Sequence, residues 1–262
     1  MKTQPLILLS FDVEEFDMPL EYDQVIPMEE QMEVGYSGLL ETMKIIDSTK
    51  ATSTFFTTAN FAQQYPATIQ SISDNHEIAS HTFYHTTFEP VDLLSSKQKL
   101  EEITGKTVHG LRMPRMRHVE MQDVINAGYT YDSSVNPTWI PGRYNNLSKP
   151  RTAYKQEQML RVPASVSPMR LPLFWLAFKN YPYPLFRHLV LHTMKKDGYV
   201  CLYFHPWEFV DLSKYNMPGY TKRLAGKPLQ DRLYRLIGDL SKEGTFTTMQ
   251  DCIVRKQLHN IA

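Results

Sequence analysis

The sequence predicts an α/β fold with parallel strands. Short apolar or β-branched runs alternate with stretches whose apolar residues recur at helical spacing. No composition break and no internal repeat divides the 262 residues, so the whole of 1–262 reads as a single domain. The residues best suited to chemistry share a placement. Asp12, His81, Pro114, Asp132 and His205 each fall at or just past the C-terminal end of an expected strand, where the βα loops of a barrel converge.

The elements follow in order. Leu6–Asp12 is an apolar run suited to a buried strand, and residues 13–36 read as an irregular acidic segment. Ser37 can cap a helix that places Leu39, Leu40, Met43 and Ile46 on one face. Ala51–Thr57, rich in β-branched and aromatic residues, reads as a strand. A helical stretch over Phe61–Ile72 is broken or restarted by Pro66, and Glu77–Ser80 is a short strand leading into His81. Leu93, Leu94, Lys97, Leu100 and Ile103 sit at helical spacing, with Gly105 as the stop. Val108–Met113 and Tyr129–Val135 are strand-like and flank a helix over Val119–Ala127. Residues 136–158, with three prolines, read as a long loop, followed by a strand over Leu160–Val166 and a helix over Leu185–Met194. Gly198–His205 is a buried strand and 211–227 a loop. Leu229, Leu233, Leu236, Ile237 and Leu240 make the most regular amphipathic helix, and Thr245–Met249 reads as a last strand.

Charge narrows the partners. Lys+Arg and Asp+Glu both number 28, which lacks the basic footprint of a nucleic-acid binder. The two cysteines, Cys201 and Cys252, make no disulfide framework. The apolar run Leu6–Phe11 is too short for a membrane span or a leader core and is followed at once by acids. The expectation is a cytoplasmic protein without a transmembrane segment. The aromatic stretch Leu171–Leu191 reads as a cover over the barrel, with peripheral contact to a bilayer as the alternative.

Five clusters carry the chemistry. In a strand, Asp12 and Glu14 project to the same side. Two carboxylates so placed repel unless a cation or proton separates them, which fits one acid on a metal and one as a base; a solvated acidic loop is the plain alternative. His81 and His85, four apart on a helical turn, can both reach one metal at about 2.0–2.1 Å. Arg112-Met113-Pro114 can hold a carboxylate bidentately on a locally fixed chain. Asp132 can orient an imidazole, and Trp139 can wall an apolar pocket. His205, at the end of an apolar strand, is placed to act as an acid near neutral pH.

Together and in this order the motifs resemble the polysaccharide deacetylase family, carbohydrate esterase family four, with its NodB homology domain. The residues are Asp12-Val13-Glu14, His81-Thr82-Phe83-Tyr84-His85, Arg112-Met113-Pro114, Asp132 through Trp139, and Tyr203-Phe204-His205. The resemblance implies a distorted, seven-stranded (β/α) barrel and a catalytic domain that removes N-acetyl groups from an amino sugar in a polysaccharide, oligosaccharide or glycoconjugate. It implies a divalent metal, zinc, on His81 and His85, with Glu14 as third ligand and Glu15 and Asp17 as alternatives. Asp12 would be the base held by Arg112, and His205 the acid oriented by Asp132. Trp139 would line the acetyl pocket, with Pro114 and Tyr203 beside the substrate. Three departures stand out: Asp-Val-Glu in place of adjacent aspartates, Arg115 after Pro114, and Tyr203 in place of leucine. An amidase acting on a non-sugar C–N bond and a sugar-binding pseudoenzyme are the competing readings.

Overall fold

The computed structural model describes residues 4–256 and Leu258; the remaining terminal positions of the 1–262 span lie outside the described residues. β1 (Leu6–Val13) leads through a 3-10 turn at Met18–Tyr22 into α1 (Met28–Thr49). β2 (Thr54–Thr57) precedes α2 (Ala59–Gln64) and α3 (Pro66–Ser73); β3 (Glu77–Ser80) precedes α4 (Val91–Thr104); β4 (Gly110–Leu111) precedes α5 (Met121–Asn126). After β5 (Tyr131–Asp132) come two hairpins, β6 (Trp139–Ile140) with β7 (Tyr144–Asn145), and β8 (Tyr154–Gln156) with β9 (Met159–Arg161). There follow α6 (Trp175–Asn180), α7 (Tyr183–Asp197), β10 (Tyr199–Phe204), α8 (Gly219–Lys222), α9 (Lys227–Leu240), β11 (Thr245–Phe246) and α10 (Met249–Arg255).

Seven strands in the order β10-β1-β2-β3-β4-β5-β9 run parallel, with β8 antiparallel at one end and β11 beside β1. Beyond β9 the chain turns back to β10: Ser165 N–H donates to Cys201 O, and Cys201 N–H donates to Ser165 Oγ, both at 2.8 Å. These bonds draw the curled sheet into the expected distorted barrel.

β1 is buried along its whole length. Its pleat sorts the residues: Ile7, Leu9, Phe11 and Val13 join the large core under the helices, while Leu6 and Leu8 enter the barrel interior with Phe56, Tyr131 and Cys201. Met249 and Cys252 of α10 join that interior cluster beside Leu6 and Leu8. Further along the inward face of β1 the side chains become polar, Ser10 and then Asp12. The barrel interior is therefore apolar near Leu6 and polar at the C-terminal end of the strand.

α1 departs from expectation. It starts at Met28, nine residues before Ser37, and absorbs Gly35 and Gly38. Glycine lowers helix propensity by about 1 kcal/mol, which hides this turn from periodicity. The glycines permit close approach instead: a Cβ on Gly35 would sit 2.5 Å from Glu14 O, and one on Gly38 would sit 2.2 Å from Pro206 O. α1 thus presses directly on the segments after β1 and β10. We expect Gly38→Ala to destabilise the fold by about 1–3 kcal/mol through overpacking against backbone, read as a lower urea midpoint; an unchanged midpoint would contradict this close packing.

Other differences are small. The 136–158 loop contains short hairpins, 211–227 contains α8, and Met249 starts a helix in place of ending a strand. Thr248 caps that helix, its hydroxyl accepting from Asp251 N–H at 3.0 Å. In the aromatic stretch, Phe174, Trp175, Phe178 and Phe186 are buried, so these rings cover the barrel and are not offered to a bilayer. Among the described residues no helix is long and apolar enough to cross a membrane.

Candidate active site

The ends of parallel strands bring the expected residues together. Asp12 lies near the end of β1, Glu14 just beyond it, His81 one residue past β3, and His205 one past β10. All four face one pocket, shared with His85 and Tyr203.

The imidazoles of His81 and His85 are 5.5 Å apart and nearly parallel. Each places Nε2 3.0 Å from Glu14 Oε2. The outer nitrogens have acceptors of their own: His81 Nδ1 lies 2.7 Å from Arg112 O, and His85 Nδ1 lies 2.8 Å from Asp17 Oδ1. The second is an ion-pair contact in distance without hydrogen-bond alignment. Protons on the outer nitrogens leave both Nε2 lone pairs aimed at a carboxylate oxygen. Only a proton or a cation between them makes that arrangement favourable. Burial opposes charge on His85, but Glu14 and Asp17 outweigh it and push its pKa up to about 9. Burial likewise opposes charge on Glu14, and His85, His205 and His81 outweigh it, holding the carboxyl well below the usual range. The remaining Glu14 oxygen accepts from Trp207 Nε1 at 3.0 Å. Glu14, His81 and His85 thus form a buried set able to hold a cation, with donor chemistry suited to a divalent transition metal. Of the alternatives, Asp17 contacts His85 from behind, and Glu15 is turned away toward Thr58, 2.9 Å from its hydroxyl, and Asn60.

Asp12 is 3% exposed and fully buried Arg112 donates to its Oδ1 at 2.6 Å, so the charges are paired out of solvent. Ser10 Oγ and Ser133 Oγ accept from the same guanidinium at 3.0 Å. The Arg112 guanidinium also lies over the Phe56 ring, 4.0 Å from its centre. Across the pocket, Asp12 Oδ2 is 4.0 Å from His205 Nε2, beyond a hydrogen bond.

The expected partner of His205 is corrected. Tyr131 faces the barrel interior, and the pleat turns Asp132 to the opposite face. There it pairs with Arg161, its register partner on β9, at 2.7 Å and accepts from Ser134. His205 Nδ1 instead meets Glu208 Oε1 at 3.0 Å, and the same oxygen accepts from His205 N–H at 2.8 Å. Glu208 is fully buried and its other oxygen lies 2.7 Å from the buried Lys179 ammonium. Burial works against charge on Glu208, yet Lys179 and His205 hold it below the usual carboxylate range. For His205, burial favours the neutral ring, and Glu14, Glu208 and Asp12 overcome it to raise the pKa.

Trp139 is corrected too. On the β6–β7 hairpin it is 59% exposed and does not line the pocket. The pocket tryptophan is Trp175, edge-on to His205 with centroids 5.0 Å apart, while Trp207 stacks on the same imidazole at 4.9 Å. Tyr203 lines the pocket and stacks on Phe174. Pro114 does not line it; it opens a 3-10 turn that carries Arg115 and Met116 to the pocket wall. Glu208 had a sequence signal, its i+3 spacing from His205. Lys179 and Trp175 lay inside the stretch read as a cover.

Comparison with known proteins follows the same lines. Among solved structures, a protein from Mycobacterium smegmatis assigned as a polysaccharide deacetylase aligns at 17% identity over 100% of this chain and 94% of its own, with a TM-score of 0.66. Puue allantoinase aligns at 16% identity over 94% and 88%, with a TM-score of 0.63. A CE4 family pseudoenzyme from Bacillus anthracis aligns at 10% identity over 96% of this chain and 66% of its own, with a TM-score of 0.52. These likenesses establish the fold. A comparison with curated proteins returns no match. Residues 133–254 match a domain of unknown function, DUF3473, and residues 33–131, which include His81, His85 and Arg112, match the polysaccharide deacetylase model. Over residues 33–131, with the barrel and the ordered strand-end motifs beside them, the chain is similar to the polysaccharide deacetylase family.

Proposed function

We propose that the chain is a single catalytic domain that hydrolyses the N-acetyl group of an amino sugar, using a divalent metal, zinc. The observation that supports it most is the convergence of two imidazole Nε2 atoms on the Glu14 carboxylate, beside a buried carboxylate and a buried imidazole facing each other across one pocket. A divalent ion held by Glu14, His81 and His85 would polarise the amide carbonyl and acidify a water. Asp12, held by Arg112, takes a proton from the attacking water as its oxygen bonds to the carbonyl carbon. His205, protonated and held by Glu208, gives its proton to the nitrogen as the C–N bond breaks. The products are acetate and a free amine. Phe174, Trp175 and Tyr203 supply an apolar wall for the acetyl methyl.

Acetate and free amine measured across N-acetylated oligosaccharides test this reading. Equimolar release of both supports it; hydrolysis confined to non-sugar amides would replace it with the amidase reading. The His205 role has its own check. Glu208→Gln removes the negative charge beside Nδ1, so the folded pKa of His205 falls. Because the acid must carry its proton, the alkaline limb of kcat/KM should move to lower pH, with kcat down at least about tenfold. A smaller kcat with an unmoved alkaline limb would mean that Glu208 only supports the fold.

A further inference from the structure

Next to the pocket lies a trough of about 450 Å³. The two are continuous, sharing Arg115, Met116, Arg143 and Tyr144 as walls. The trough is lined by Arg115, Arg117, His118, Arg143, Lys149 and Arg161, with no acidic side chain on its wall among the described residues. A formally neutral chain thus places five of its 28 Lys and Arg residues, with His118, at one concave surface beside the candidate pocket.

Some of this charge is spent within the protein. Arg115 and Arg143 share Glu21, at 2.6 and 2.7 Å, and Arg161 pairs with Asp132. The surplus lies further along. Arg117 donates to Thr86 O at 3.3 Å, and neither Arg117 nor Lys149 has a carboxylate partner among the described residues. The junction is also unusual in its backbone. Arg115 and Met116 are consecutive left-handed residues, at φ 56° and 53°. Such a conformation costs about 1 kcal/mol or more per residue and persists only where neighbours enforce it. Here the enforcement is Arg115 on Asp17 and Glu21. The strained turn sets Arg115 at the boundary between the metal-binding cluster and the trough.

We propose that the trough is an anion-binding subsite, so that the substrate carries a negative group, a uronate carboxylate or a phosphate ester, adjoining its N-acetylated sugar. This rests on the deacetylase reading above. Guanidinium groups in a concave, acid-free wall recognise carboxylate and phosphate oxygens by charge-assisted hydrogen bonds and raise the local concentration of anions. A neutral glycan would offer Arg117 and Lys149 no counter-charge.

The test compares three probes: a neutral N-acetylhexosamine tetramer, a tetrasaccharide alternating N-acetylhexosamine with hexuronate, and N-acetylhexosamine 1-phosphate. Acetate release is measured for the wild type and R117Q/K149Q at low and high salt, with calorimetric binding of the same probes. At low salt kcat/KM for at least one charged probe should exceed that for the neutral tetramer by about tenfold or more, and fall as salt rises. In R117Q/K149Q the charged-to-neutral ratio should drop about tenfold. Which charged probe responds identifies the anion. A ratio near one in the wild type, or a ratio that R117Q/K149Q leaves in place, overturns the proposal. Lys149→Gln alone, at an exposed side chain, supplies the comparison if the double variant unfolds. If no probe releases acetate, the deacetylase reading fails and calorimetry decides the trough separately. Salt-sensitive binding weakened in R117Q/K149Q supports it, and failure to bind either charged probe overturns it.

Discussion

His81→Ala is expected to lower kcat/KM for acetate release by more than about a thousandfold and to remove stoichiometric metal from the purified protein. The imidazole is nearly fully buried, and its two nitrogens serve two ends of the site: Nδ1 meets Arg112 O and Nε2 meets Glu14. Alanine removes one of three proposed ligands and frees the Arg112 carbonyl from its partner, so a stability loss of about 1–3 kcal/mol should accompany the loss of activity. His85→Ala separates the two effects. It removes a ligand while leaving the Arg112 carbonyl bonded, so metal and activity should be lost with a different stability change. Elemental analysis, acetate release and urea unfolding on both variants check this. Retention of metal and activity in either variant would remove that histidine from the ligand set.

Asp12→Asn is expected to cost about 10²–10⁴-fold in rate through loss of the proposed base and about 3–5 kcal/mol in stability. The second figure follows from burial. Arg112 has no exposed surface, and Asp12 is the one carboxylate it contacts among the described residues. Asparagine preserves shape and an Oδ1 acceptor but leaves the guanidinium charge inside the barrel without a counter-charge, beside Ser10, Ser133 and the Phe56 and Tyr203 rings. Against a typical stability of about 5–15 kcal/mol, that loss should appear as a large fall in urea midpoint. Rates must therefore be read where the variant remains folded. A variant that keeps its stability would show that the Arg112 charge is accommodated without Asp12, and one that keeps its rate would show that the base lies elsewhere.

The strand-end placement of Asp12, His81 and His205 was legible because it depends on local signals: an apolar run followed by a polar residue. The i, i+2 spacing of Asp12 and Glu14 likewise reports local geometry, whereas no helical turn carries His81 and His85: an irregular loop with Thr82 left-handed at φ 62° brings them together. Asp132 misled for a reason sequence could not resolve. Its strand was expected, but the face it presents depends on register, and a pleat with Tyr131 inward turns Asp132 away. Glu208 was within reach, three residues after His205 on a tight turn. Lys179 was not: its partner is 29 residues away, and a lysine in a helix gives no sign that it will be buried. Trp139 and Trp175 exchanged roles because the hairpin that carries Trp139 points it to solvent while α6 brings Trp175 to the pocket. The early start of α1 was hidden by Gly35 and Gly38, whose purpose is contact with distant segments.

The central claim is that Glu14, His81 and His85 hold a divalent ion on which deacetylation depends. Acetate release from an N-acetylated oligosaccharide, followed on one preparation before chelation, after chelation and after zinc is returned, tests it most directly. The account predicts release that stops on chelation and resumes on return of about one equivalent of zinc. Undiminished release from metal-free protein, or one equivalent of bound zinc with no release from any N-acetylated saccharide, would contradict it.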